Sequence, residues 1–132
     1  MLDDLVKEYL SLSDIMRKGY KDSLGTESQT WNETLSRLSP VVPDVFKAIY
    51  GEVSGTYRGI DNQTYMDFVP GYRLIHIEEL EKEYHTLLQM LASDDICEAR
   101  IRTIIPLLAD YSSCYVCYVE TYNNEEAVFH FS

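Results

Sequence analysis

The pattern of apolar residues along the chain predicts an α+β fold, in which helices pack on a small, mainly antiparallel sheet within a single domain covering residues 1–132. Three observations carry that expectation. In "IEELEKEYHTLLQMLAS", Ile77, Leu80, Tyr84, Leu87, Leu88 and Leu91 recur at helical spacing, while Glu78, Glu79, Glu81, Lys82 and Glu83 cover the outside. Near the end of the sequence, "CYVCYVETY" and "EAVFHF" are β-branched and aromatic, with Asn123 and Asn124 between them, which predicts an antiparallel hairpin. Shorter helical patterns precede both.

Taken in order, Leu2, Leu5, Val6, Tyr9 and Leu10 lie at helical spacing with Asp3, Asp4, Lys7 and Glu8 opposite, giving an amphipathic N-terminal helix. "SDIMRKGYKDSLGTESQ" mixes Gly19 and Gly25 with polar residues and reads as the irregular stretch of the first third. A short helix is expected in "SQTWNETLSRL", capped by Ser28 or Thr30, with Trp31, Leu35 and Leu38 on one face. Pro40 and Pro43 interrupt the pattern. "VPDVFKAIYGEV" resumes it, with Pro43 in the first turn, Asp44 at the positive end of the dipole, and Val45, Phe46, Ile49, Tyr50 and Val53 toward the core. That helix should stop near Gly51 or Gly55, and "SGTYRGIDNQTYMDF" reads as a loop with short strands. "PGYRLIHI" predicts a turn into a strand, with Tyr72, Leu74 and His76 on one face and Arg73, Ile75 and Ile77 on the other. In "SDDICEARIRTIIPLLADY", Pro106 argues against a continuous helix and for an edge strand around Thr103 to Leu108.

Of the 132 residues, 22 are acidic and 11 basic, for a formal charge of −11. Such a surface repels phosphate backbones and anionic lipid, which argues against nucleic acid and membrane as partners and for a basic protein. The same charge also serves solubility alone. No apolar run approaches the roughly 20 residues of a membrane span, and Asp3 and Asp4 stand where a signal peptide carries basic residues. A cytoplasmic protein is therefore expected. Three cysteines, Cys97, Cys114 and Cys117, suit a reducing compartment.

Cys114 and Cys117 stand in C-x-x-C spacing, but a structural zinc needs two further ligands on converging turns. On a strand, residues three apart point to opposite faces. Cys97, His76, His85 and His130 supply no second ligand pair at zinc spacing, so neither metal nor cofactor is expected. No G-x-S-x-G elbow and no phosphate-binding loop is present. The carboxylates of the helix from Ile77 read as a solvated face, and an enzyme would require the fold to assemble carboxylates that look scattered in the sequence. The 11 tyrosines are the unusual feature. Tyr combines a large apolar face with a polar tip, a combination favoured at protein interfaces.

Three segments in this order, "VPDVFKAIYGEVSGT", "DFVPGYRLIHIEELEKEY" and "IIPLLADYSSCYVCYV", resemble the SUKH superfamily, which includes bacterial immunity proteins and the yeast Smi-one/Knr-four cell-wall regulators. The resemblance covers roughly Thr34 to Val119. It departs from the family where Ser112 and Ser113 replace a Gly, where Glu120 alone represents the acidic residue near the strand's end, and where the family continues into a C-terminal helix beyond "VFHF". Without that helix, Val128, Phe129 and Phe131 are expected to lack part of their cover, unless the native chain is longer. The resemblance implies a non-enzymatic module that neutralises a cognate bacterial toxin by direct binding; a basic toxin domain would fit the acidic surface. A regulatory or scaffold domain of a larger assembly is the alternative. Charge, aromaticity and expected exposure select Tyr57, Arg58, Asp61, Asp67, Glu78, Glu79, Asp110, Tyr111 and Glu120 as candidate partner contacts.

Overall fold

Helix α1 (Leu2–Met16) opens the chain with Asp3 and Asp4 in its first turn, where the helix dipole favours acids. The computed structural model describes residues 2–93, 101–111, 114–121 and 126–131, with the backbone alone at 93, 101 and 126–131. α1 continues through Ser13–Met16, inside the stretch expected to be irregular, and a single further turn, α2 (Tyr20–Ser23), follows Gly19. Gly19 permits that break because its φ is 89°, a left-handed value that other residues resist. Tyr20 and Leu24 are fully buried on either side of the turn, so apolar burial orders a segment whose polar residues argued for a loop. The apolar stripe of α1 splits: Val6 and Leu10 are buried, whereas Leu2, Leu5 and Tyr9 remain exposed.

α3 (Trp31–Leu38) buries Leu35 completely, with Trp31 and Leu38 packed partly against the core. α4 (Asp44–Tyr50) buries Phe46, Ala48, Ile49 and Tyr50, while Val45 is half-buried. Pro43 is its N-cap rather than its first helical residue, since ψ of 147° keeps Pro43 extended. After α4, residues 54–56 run beside residues 74–77: Thr56 N–H donates to Leu74 O at 2.9 Å and Ile77 N–H to Ser54 O at 2.8 Å.

β1 (Arg73–Leu74) is only two residues long, and every residue from Arg73 to Ile77 is buried. The expected alternation of faces therefore gives way to cover on both sides. α5 (Ile77–Ser93) follows at once and buries Ile77, Leu80, Leu87 and Leu91. Two of its residues depart from the pattern: Leu88 is exposed and Glu83 is buried.

β2 (Ile101–Ala109), β3 (Tyr115–Thr121) and β4 (Glu126–Phe131) complete an antiparallel sheet of order β1-β2-β3-β4. β2 is longer than expected and is an edge only in part, because Leu108 and Ala109 pair with β1. Pro106 is accommodated at a register shift before Leu108, where the extra residue Leu107 turns its carbonyl to Ile75 N–H at 3.1 Å. The β3–β4 hairpin pairs Tyr115 with Phe131 and Glu120 with Glu126. Its turn residues Asn123 and Asn124, and the side chains of Val128, Phe129 and Phe131, lie outside the described set.

The result is a small α+β domain whose core lies between helices and sheet. α5 packs on β2 and α3, and α4 reaches β3 through an edge-to-face contact of Phe46 with Tyr118, centroids 6.2 Å apart. Tyr50 OH donates to Ile75 O at 2.5 Å, tying α4 to the residues that follow β1. Gly55 permits the close approach of 54–56 to this segment. Its φ is 107°, and a Cβ there would stand 2.7 Å from Ile75 O and 2.8 Å from His76 Cα. Gly55→Ala should cost about 1–3 kcal/mol in chemical denaturation, and a change within a few tenths of the wild-type value would show that the crossing is not tight.

Candidate functional site

The crossing of residues 54–58 over β1 and the start of α5 brings charged side chains from three segments to one place. Arg73 is at its centre and is 0% exposed. Its Nη1 donates to Thr56 O at 2.7 Å and to Glu79 Oε1 at 2.9 Å, while Nη2 lies 3.5 Å from Glu83 Oε1 as an ion pair. Nε and Nη2 have no hydrogen-bond acceptor among the described residues. Glu83 Oε2 accepts from Tyr115 OH at 2.6 Å, and Glu83 Oε1 is 3.9 Å from Arg58 Nη1. Arg58 N–H donates to Glu79 Oε1 at 3.0 Å, and Arg58 Nη2 reaches Tyr111 O at 3.5 Å. Two guanidinium groups thus face two carboxylates, which offsets the several kcal/mol that an isolated buried charge costs.

Glu79 and Glu83 are one helical turn apart, so both side chains leave the same face of α5. That face looks toward Arg73 and Tyr115 rather than toward water, which overturns the expectation that Glu83 is a solvent residue. Burial first, and then the hydrogen bond to Glu83, pushes the Tyr115 hydroxyl pKa up. Burial likewise raises that of Tyr111, whose ring centroid is 5.9 Å from Arg73 Cζ.

A second, outer layer lies on this base. The Tyr57 ring stacks on His76 at 3.7 Å and 12°, and its hydroxyl donates to Glu78 Oε2 at 2.5 Å, which holds the phenol above its ordinary pKa. His76 Nδ1 accepts from Glu78 N–H at 3.1 Å, satisfying a free amide of the first turn of α5. Burial lowers the His76 pKa, with Arg73 acting in the same direction and Glu78 and Glu79 opposing.

Five of the nine candidate contacts therefore meet here: Tyr57, Arg58, Glu78, Glu79 and Tyr111. Asp110 adjoins Tyr111 and accepts Cys114 N–H at 3.1 Å. Asp67 accepts Gly71 N–H at 3.2 Å, and its charge reaches Tyr111. Asp61 is exposed in the loop after Ile60. Glu120 is separate: it pairs with Arg102 at 3.2 Å, five residues along β3 from Tyr115, about 17 Å at strand rise. Arg73, His76, Glu83 and Tyr115 were not selected from the sequence. Two of them carried a signal, since Arg73 interrupts the apolar run "YRLIHI" and Glu83 stands at i+4 from Glu79.

Cys117 is fully buried on β3, and burial pushes its thiol pKa up to about 12. Cys114 precedes that strand and is half-buried, and neither of the two forms a disulfide. Among the described residues no group of three or more His, Cys, Asp and Glu is placed to hold a metal ion; Cys97 lies outside them.

Arg73→Leu should cost about 3–5 kcal/mol of stability, because Glu79 and Glu83 lose their buried counter-charge. Tyr115→Phe should cost about 1–3 kcal/mol by leaving Glu83 Oε2 unpaired. Denaturant titration checks both, and losses below about 0.5 kcal/mol would contradict the cluster's structural role. His76 holds its proton less tightly folded than unfolded, so its contribution is complete above the unfolded value of 6.5 and is lost as pH falls through the lower folded value. Between about pH 7 and about pH 5, wild type should lose more stability than His76→Asn, which retains an acceptor for Glu78 N–H without titrating. Equal losses would exclude His76 as the titrating cap. No protein-family model matches the chain and no curated protein matches it, so the SUKH resemblance rests on the three motifs and their order.

Proposed function

We propose that the chain is a cytoplasmic immunity protein of the SUKH type, a non-enzymatic module that neutralises a basic bacterial toxin by forming a stoichiometric complex. The observation that supports this reading most is the state of Tyr57. It is 47% exposed, yet both faces of its freedom are restricted by the His76 stack and the Glu78 hydrogen bond. An aromatic side chain ordered before binding loses little entropy on complex formation, and such residues dominate interface energetics. The carboxylates of Glu78 and Glu79 flank it at the positive end of α5, and the whole chain carries −11. Charge of this sign steers a basic partner and raises its association rate.

The inner layer supports a binding role over an acid–base one. Glu79 and Glu83, the carboxylates that the fold draws together, are occupied by Arg73, Arg58 and Tyr115. No helix among the described residues is long and apolar enough to cross a membrane.

Co-expression with a candidate basic toxin from a neighbouring gene provides the test. Wild type should restore growth and co-purify with the toxin. Tyr57→Ala should weaken the complex by about tenfold or more, mainly through faster dissociation. Glu78→Gln should slow association and flatten its dependence on salt. Growth arrest despite soluble wild-type protein, or affinity indifferent to both substitutions, would overturn the proposal.

A further inference from the structure

Nine large hydrophobic side chains are exposed among the described residues, and six of them, Leu2, Leu5, Tyr9, Leu12, Ile15 and Met16, sit on α1. Leu12 is 53% exposed, Ile15 79% and Met16 84%, values far from the ordinary scatter of half-covered residues. Five of them, Leu2, Leu5, Tyr9, Leu12 and Met16, follow alternating spacings of three and four, the seam of a coiled coil. This seam is distinct from the face that α1 already buries through Val6, Leu10 and Ser13. A groove of about 600 Å³ continues it, bounded by Tyr9, Leu12 and Met16 on one side and Phe68, Val69 and Pro70 on the other. The helix thus presents both ridge and recess.

We infer that α1 is the interface of a two-fold homodimer, packed antiparallel against the α1 of a second copy. The charges along the helix select this occupant and this orientation. Asp3, Asp4 and Glu8 are exposed in its N-terminal half, where Lys7 pairs with Glu52, and Arg17, Lys18 and Lys21 outnumber Asp14 and Asp22 around its C-terminal end. An antiparallel pair sets each acidic end against the basic end of the other copy and opposes the two helix dipoles. A parallel pair would set acid on acid. Seams of this spacing pack at about 20° to one another, and the helix of 15 residues is long enough for three turns of contact or more. The inference does not depend on the toxin reading, because Tyr57, Glu78 and Glu79 take no part in the seam. Repulsion between two chains of charge −11 opposes pairing at long range; at physiological ionic strength it is screened beyond about 8 Å, while contacts at the seam are not.

Sedimentation velocity of the full chain across a concentration series at physiological salt tests the inference. Wild type should form a dimer. Leu5→Gln with Leu12→Gln, both at exposed positions, should retain the wild-type circular dichroism and lower the association constant by about tenfold or more. Asp3→Lys with Asp4→Lys should weaken the dimer, and adding Lys18→Glu with Lys21→Glu should restore it. A monomer throughout the series, or a dimer unmoved by the leucine changes, would overturn the interface. A dimer strengthened by the aspartate changes alone would overturn the antiparallel orientation.

Discussion

The burial of one guanidinium group organises this protein. Arg73 sits on a two-residue strand with no exposed surface, and a cation in that position is tolerable only with acceptors and counter-charges in fixed places. The fold supplies them from three directions: the Thr56 carbonyl from the loop before it, and Glu79 and Glu83 from successive turns of the helix after it. Each of those requirements constrains a neighbour. Thr56 must lie alongside Leu74, which needs the close approach that Gly55 allows, and Glu83 must face inward, where Tyr115 satisfies its other oxygen. Loop, strand, helix and sheet are thereby fixed relative to one another around a single ion cluster.

The outer surface inherits that rigidity. Arg58 is held by its backbone to Glu79 and by its side chain near Glu83 and Tyr111. Tyr57, its neighbour, therefore leaves the loop in a direction set by the cluster and meets His76 and Glu78 already aligned. Under the proposed function, this ordered aromatic beside a helix start rich in carboxylates is the surface that would meet a basic partner. Ordering it in advance reduces the entropic cost of association.

Much of this was legible in the sequence because the relevant signals are local. The 3.6-residue period from Ile77 to Ser93 and the β-branched hairpin at the end of the chain correspond to observed elements, as do the Pro-led helix and the short helix at Trp31. Tyr57, Arg58, Glu78, Glu79 and Tyr111 could be chosen as a group by charge and aromaticity. What sequence could not supply was which charges turn inward. On a helical wheel Glu83 is one acid among several, and only its distance to Arg73, ten residues away, and to Tyr115, on another strand, explains its burial. The same limit applies to α1, where the apolar residues announce a helix but not that half of the stripe remains uncovered. Polar residues and Gly19 make the segment from Ser13 to Ser23 read as irregular, whereas the burial of Tyr20 that orders it is a tertiary fact.

Amide hydrogen exchange, compared between wild type and Arg73→Leu under conditions where both remain folded, tests most directly whether the buried guanidinium holds the surface of Tyr57, His76 and Glu78 in place. The amides to follow are those of Thr56, Arg58 and Ile77, which bond across the crossing, against those of Ile104, Ile105 and Val119 in the β2–β3 ladder. Loss of the ion cluster should release the crossing locally, so exchange at Thr56, Arg58 and Ile77 should accelerate by about tenfold or more relative to the ladder. Acceleration by one common factor at every site, or no change at the crossing, would contradict the claim that Arg73 organises the surface.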